Sequence, residues 1–194
     1  SRSQAIQIVN RVCQMRDDTA PEKIVNAGIA MAFGCSISGD VNSNEVIGIA
    51  EACLEAGADM VCVADTVGYA APAQVQEVVS GVRRLSQNFP IVAHLHDTRG
   101  MAIANASAAL DSGASVLDGS LGGLGGCPFA PGATGNVVTE DLIYLCERMG
   151  FRTGVDLDAL LLAREVLEGA MPNEEFYGAL IKAKAPQNIN WRAM

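Results

Sequence analysis

The chain contains two histidines, and they lie two residues apart, at positions 94 and 96. They end an apolar segment typical of a β-strand, and side chains two residues apart on a strand point to the same face. Imidazole is a common ligand of divalent transition metals, so this spacing favours one shared ion. Asp97 and Thr98 follow at once and could hold the imidazoles by hydrogen bonds. The alternative is a hydrogen-bonded histidine pair that binds no metal.

A second group of reactive side chains lies in a glycine-rich loop. Residues 119–136 contain seven glycines, with Cys127 between Gly126 and Pro128. Glycine lets the backbone approach a ligand closely, and a thiol in a loop over a metal site is suited to donate or accept a proton. Asn136 ends the loop, and its amide oxygen could complete a metal site. The alternatives are an incidental thiol in a flexible loop and an N-cap role for Asn136.

Two aspartates hold equivalent places after successive strands. Asp65 follows the apolar segment 59–64, and Asp97 follows the segment that carries the histidines. Either carboxylate could bind substrate or orient a metal ligand. A role as a helix or turn cap is the alternative for each of them.

Apolar periodicity predicts that strands and helices alternate along the chain. Asn42 and Glu45 have the spacing of a capping box. We expect strands at residues 24–33, 59–64, 90–95 and 114–117, with the first buried on both faces. We expect helices at residues 3–16, 42–57, 101–110, 137–149, 156–169 and 173–183, and one that opens at Pro72.

This alternation predicts an α/β fold with parallel strands joined by helical crossovers. A doubly wound sheet and a (β/α)8 barrel both fit the pattern. The segment after the first strand, residues 32–36, is not GxGxxG, so the phosphate-binding signal of many doubly wound sheets is missing. A complete barrel takes about 250 residues, so four strand–helix units would make half of one. We expect residues 1–194 to form a single domain, with a loose tail from residue 186.

The amino-acid composition limits the partners and the cellular location that we expect for the protein. The net charge of −9, with 13 Lys and Arg in total, makes a nucleic-acid partner unexpected. We expect no membrane span, since no apolar stretch reaches about 18 residues. The six cysteines lie in apolar periodic segments of a chain that is not small, which favours free thiols in a reducing compartment. They form no CxxC pair, so we do not expect a zinc cluster held by thiolates. With no targeting segment visible, we expect a cytoplasmic location, or the mitochondrial matrix in a eukaryote.

Three motifs together resemble one enzyme family. The segment His94–Gly100, the segment Leu121–Ala130 and the pair Gly135-Asn136 are similar to hydroxymethylglutaryl-CoA lyase (HMG-CoA lyase), a DRE-type metallolyase built on a TIM barrel. The turn Ala64–Gly68 and the pair Gly34-Cys35 match in the same order. The resemblance covers about residues 3–165, and the HxHDT and GGLGGCP motifs make a specific combination.

The resemblance implies an α/β fold of the TIM (β/α)8-barrel type, of which this chain supplies strands five to eight and C-terminal helices. It implies retro-Claisen cleavage of 3-hydroxy-3-methylglutaryl-CoA, an acyl-CoA thioester, to acetyl-CoA and acetoacetate with Mg²⁺ or Mn²⁺. His94, His96 and Asn136 would be metal ligands, and His94 is also a candidate proton shuttle. Cys127 would be the thiol that handles the enolate proton, and Asp65 would line the substrate pocket.

The chain departs from the family in three places. The aspartate ligand and catalytic arginine of the family's first strand have no counterpart here, nor has the catalytic glutamate of its second strand. Ser36 stands where the family often has proline. We therefore expect a half-barrel that forms a homo-oligomer or is poorly active. The rival interpretations are a related aldolase or Claisen synthase, such as a 4-hydroxy-2-oxo acid aldolase, and an inactive half-barrel that only oligomerises.

Overall fold

The protein is built on a four-stranded parallel sheet. The computed structural model describes residues 1–85, 88–126, 135–187 and 190–192. The strands lie side by side in chain order, so each helical crossover joins neighbouring strands. This is a partial barrel, one of the two folds that fit the alternation and the one that the family resemblance implied. The strands are β1 (Asn26–Ile29), β2 (Met60–Asp65), β3 (Ile91–Leu95) and β4 (Val116–Asp118).

Helices precede, connect and follow the strands, and all but the last lie close to the predicted positions. Asn42 caps the second helix through the Asn44 N–H, whereas the side chain of Glu45 pairs with Arg2 instead of completing a capping box. The helices are α1 (Arg2–Thr19), α2 (Ser43–Glu55), α3 (Pro72–Leu85), α4 (Ala102–Asp111), α5 (Thr139–Arg148), α6 (Leu157–Ala170) and α7 (Leu180–Ala183). A short 3₁₀ turn covers Leu121–Gly123.

One face of the sheet packs on the helices and forms the main core. Val61 and Val63 of β2 and Val75 and Val79 of α3 have no exposed surface. Branched side chains of this kind suit the pleated, buried face of a strand. The core therefore holds the strands at the spacing and register that bring their C-terminal ends together.

The expectation that the first strand spans residues 24–33 with both faces buried is wrong. β1 has four residues, and its side chains alternate between exposed and buried. Beyond it, Met31 takes a positive φ of 53°, and the next N–H, that of Ala32, still donates to the Ala64 carbonyl of β2 although strand geometry has ended. Because the helices cover one side of the sheet, Asn26 and Gly28 on the other side stay exposed.

The predicted helix at residues 173–183 is also largely wrong, because only Leu180–Ala183 is helical. Tertiary hydrogen bonds take the place of helical ones. The Tyr177 N–H donates to the Gly122 carbonyl, and the Ala179 and Leu180 N–H groups donate to the Asp141 carboxylate. The segment is thereby tied to α5 and to the start of the glycine-rich loop.

A buried ion pair strengthens this connection. Arg164 on α6 donates to the Glu140 carboxylate at 2.8 Å and to the Tyr177 carbonyl at 2.7 Å. Glu140 is fully buried and also accepts the Gly122 N–H. The two charges therefore join α5, α6, the loop and the C-terminal segment in one network.

The described cysteines are free thiols, as expected: Cys13, Cys35, Cys53, Cys62 and Cys146. No helix within the described ranges is long and apolar enough to cross a membrane. Trp191, in the predicted tail, packs against Tyr144 with ring centroids 5.4 Å apart.

Candidate metal-binding site

The two histidines meet at the C-terminal end of β3. His94 lies on the strand and His96 directly after it, and their Nε2 atoms are 3.2 Å apart. The rings meet edge to face, with centroids 5.1 Å apart. His96 is buried, and the His94 side chain is about one-third exposed. The predicted placement of both imidazoles on one face is therefore confirmed.

Asp118 is a site residue that the sequence patterns did not single out. It ends β4, where the parallel register pairs it with His94. Its Oδ1 lies 2.8 Å from His94 Nδ1, across the imidazole ring from Nε2. The available signal was its position directly after a predicted strand, the same signal that singled out Asp65 and Asp97.

Asn136 lies beside the histidines because its backbone forms an isolated bridge with His96. Its amide Nδ2 donates to the carbonyls of Leu124 and Gly125, at 2.7 and 2.9 Å, which closes the base of the glycine-rich loop. The N-cap alternative is wrong, because α5 begins at Thr139 with Val138 at the N-cap. Its Oδ1 remains free to act as a ligand.

The donor atoms of this site fit a divalent cation. Nitrogens about 2.1 Å from one ion and at right angles around it lie about 3.0 Å apart, close to the observed separation of the two Nε2 atoms. Asn136 Oδ1 is buried without a hydrogen-bond partner, which is uncommon for a polar atom and leaves it available as a donor to an ion. Among the described residues no cluster of three or more His, Cys, Asp or Glu could hold a metal ion, so the two imidazoles alone would need a further donor of another type.

The pKa values of the two histidines are shifted in opposite directions. The hydrogen bond to Asp118 raises the pKa of His94 above its ordinary value, despite partial burial. Burial and the neighbouring His94 lower the pKa of His96. The lowered pKa of His96 favours the neutral imidazole, the form that a metal ligand takes.

We therefore predict that the histidines of the metal-free protein titrate separately. The fold favours the protonated form of His94, and this preference stabilises the folded state. The stabilisation is fully present below the unfolded pKa of about 6.5 and is lost as the pH rises through the pKa of folded His94. The fold favours neutral His96, so lowering the pH below about 6.5 costs stability there. Ring-proton NMR against pH should show His94 titrating at the higher pH. Coincident titration of both rings would contradict the prediction.

Asp65 and Asp97 are both used as caps in this structure. The Asp65 carboxylate accepts the N–H groups of Tyr69 and Ala70, and burial raises its pKa. Asp97 accepts the Ala102 N–H at the start of α4. The capping alternative therefore accounts for their contacts, and a substrate role for Asp65 stays a prediction.

The glycine-rich loop is tightly built at its base. A Cβ on Gly135 would lie 2.0 Å from the Gly123 carbonyl oxygen, and the φ of 123° at Gly135 also favours glycine. Cys127, the predicted proton donor, lies outside the described residues. Cys62 is another thiol on the histidine face of the sheet, but burial raises its pKa to about 11, which makes it a poor proton donor at neutral pH.

Comparisons with known proteins agree with these motifs. A family model described as HMGL-like matches residues 2–167. The chain is 40% identical over 171 residues to a hydroxymethylglutaryl-CoA lyase of Bacillus subtilis, covering 88% of this chain and 56% of that protein. It is 41% identical over 143 residues to an (R)-citramalyl-CoA lyase of Chloroflexus aurantiacus, covering 74% and 45%.

The fold is similar to solved lyase structures. An HMG-CoA lyase from Acinetobacter baumannii, solved in complex with coenzyme A and 3-methylmalate, matches with a TM-score of 0.81 and 37% identity. That match covers 92% of this chain and 58% of the other. The chain spans about half the length of the curated relatives it matches.

Proposed function

This chain belongs to the HMGL-like family, and on that premise we propose that it carries the metal site of a carbon–carbon lyase. The proposed substrate is a 3-hydroxyacyl-CoA thioester, with 3-hydroxy-3-methylglutaryl-CoA as the first candidate. The observation that carries the proposal is the pair of imidazole Nε2 atoms 3.2 Å apart at the C-terminal end of a parallel strand. Catalytic groups of barrel enzymes gather at this end of the strands.

His94, His96 and Asn136 would hold the cation, which we propose is Mg²⁺ or Mn²⁺. A bound divalent cation would supply Lewis acidity that stabilises an alkoxide on the substrate. His94 Nδ1 contacts Asp118, which leaves Nε2 as the ring nitrogen for the cation. With Nε2 used in this way, a shuttle role for His94 would require the Asp118 contact to break, so we propose it first as a ligand.

The proposed reaction moves two protons and breaks one carbon–carbon bond. The C3 hydroxyl loses its proton, the C2–C3 bond breaks, and its electron pair remains on C2 as the enolate of acetyl-CoA. The other product is acetoacetate. We propose Cys127 as the group that protonates the enolate, since a thiol is suited to deliver a proton and the ends of its segment, at Gly125 and Asn136, lie beside the histidines.

The direct test is product formation. Incubation with 3-hydroxy-3-methylglutaryl-CoA and Mg²⁺ or Mn²⁺ should release acetoacetate and acetyl-CoA in equal amounts, and chelation should stop the release. Release that persists unchanged after complete chelation would contradict a metal-dependent lyase.

A second candidate substrate is citramalyl-CoA, favoured by the 41% identity to the Chloroflexus lyase. Assays with citramalyl-CoA test for a lyase of different substrate specificity. Assays with a 4-hydroxy-2-oxo acid test for an aldolase. Turnover of the 4-hydroxy-2-oxo acid alone would favour the aldolase.

We also propose that the chain forms a homo-oligomer. α1 and α6 carry apolar side chains that are more than half exposed: Ile8, Met15, Leu162 and Val166. Exposed apolar stripes of this kind favour association. A strictly monomeric mass in sedimentation equilibrium would contradict it.

A further inference from the structure

The hydrogen bond between Asp118 and His94 determines which nitrogen of His94 carries the proton. An ionised carboxylate only accepts hydrogen bonds, so Nδ1 must be the donor in the 2.8 Å contact. In a neutral imidazole, the other nitrogen then holds a lone pair. His94 Nε2 therefore presents a lone pair toward His96, which is the form needed to bind a cation.

His96 has no equivalent arrangement. Its Nδ1 is buried without a hydrogen-bond partner. The two imidazoles therefore differ: one is oriented by a carboxylate, and the other is held by burial and by its place next to Asn136. Asp118 is thus the residue that makes the environment of His94 different from that of His96.

The fold dictates this pairing. Parallel register makes Asp118 the partner of His94 across β3 and β4, so both side chains project from the same face of the sheet. The Asp118 side chain is about half exposed, and its carboxylate lies on the side of the ring away from Nε2. It can therefore orient the ring without occupying the space between the two Nε2 atoms.

We propose that Asp118 is a positioning residue that holds His94 as its Nδ1–H tautomer, so that the Nε2 lone pair faces the cation. The inference deepens the proposed function, because it rests on the same metal site. Hydrogen-bonded partners of this kind typically change metal affinity by about 10- to 100-fold when they are removed.

The test compares Asp118→Asn with Asp111→Asn. Asparagine has nearly the same shape as aspartate, but its amide can donate as well as accept, so it no longer selects one tautomer. Asp111 is an exposed aspartate at the end of α4 and provides the same change of charge outside the site. Both variants are full chains, and circular dichroism checks their folding.

The first measurement is ¹⁵N NMR of the histidine rings in the metal-free protein, at a pH where both are neutral. We expect a protonated Nδ1 in His94 of the unaltered chain and of Asp111→Asn, and a shift toward protonated Nε2 in Asp118→Asn. A protonated Nε2 in His94 of the unaltered chain would overturn the proposal without any variant.

The second measurement is Mn²⁺ titration followed by electron paramagnetic resonance. Asp118→Asn should bind Mn²⁺ about 10- to 100-fold more weakly than the unaltered chain, whereas Asp111→Asn should stay within about twofold. Equal affinity and an unchanged tautomer in Asp118→Asn would overturn the proposal. If the unaltered chain binds no Mn²⁺, the proposed metal site fails, while the ring spectra still decide whether Asp118 sets the tautomer.

Discussion

Replacing either His94 or His96 by alanine is expected to lower the affinity of the chain for Mn²⁺ by at least about 100-fold. Each change removes one of two imidazole donors whose Nε2 atoms lie 3.2 Å apart. Removing a residue that only hydrogen-bonds to a ligand typically lowers metal affinity by about 10- to 100-fold. Removing a ligand itself should lower the affinity by more. The measurement is direct Mn²⁺ titration, by calorimetry or by electron paramagnetic resonance.

Cys62→Ala is the matched control for these variants. Cys62 lies on the same face of the sheet, one strand away from His94, and is not among the proposed ligands. Its replacement should leave the Mn²⁺ affinity within about twofold, since a thiol with a pKa of about 11 stays protonated and a hard cation prefers oxygen and nitrogen donors. If the histidine variants bind as well as this control, the ion does not lie between the two rings.

The largest expected effect on folding comes from the buried pair of Glu140 and Arg164. Glu140→Ala should lower the free energy of unfolding by about 3–5 kcal/mol, because it leaves a buried guanidinium without its main partner. Glu168 would still contact Arg164, but its side chain is about 40% exposed. The change also frees the Gly122 N–H, so the base of the glycine-rich loop should loosen. Urea unfolding followed by circular dichroism measures the effect.

Glu45→Ala provides the comparison. Glu45 pairs with Arg2 at 3.0 Å, but both side chains are more than half exposed. Exposed pairs contribute at most about 1 kcal/mol, so this variant should be close to the unaltered chain. Equal losses of stability in the two variants would show that burial of the ion pair does not determine the loss.

Replacing both Glu140 and Arg164 by apolar residues should lower the free energy of unfolding by less than the sum of the two single changes, because neither charge is then left unpaired.

Local patterns in the sequence predicted most of the fold. The valines of β2 lie two residues apart, whereas those on the buried face of α3 recur every three or four residues. This local difference in spacing is enough to distinguish a strand from a helix. The errors came where distant groups intervene. Residues 173–183 have helical periodicity, yet Asp141 and Gly122 bind their backbone instead.

The sequence by itself determined that His94 and His96 share a face, because alternation along a strand is a local property of the backbone. It also predicted one loop for Asn136 and Cys127. Only the tertiary structure decided that Asp118 contacts His94 and that Asp65 caps a turn. The register between β3 and β4 makes residues 94 and 118 partners. This register depends on how α4 packs across the sheet. No pattern within either segment predicts it. A carboxylate after a strand can point to a partner or to its own turn, and the packing selects between them.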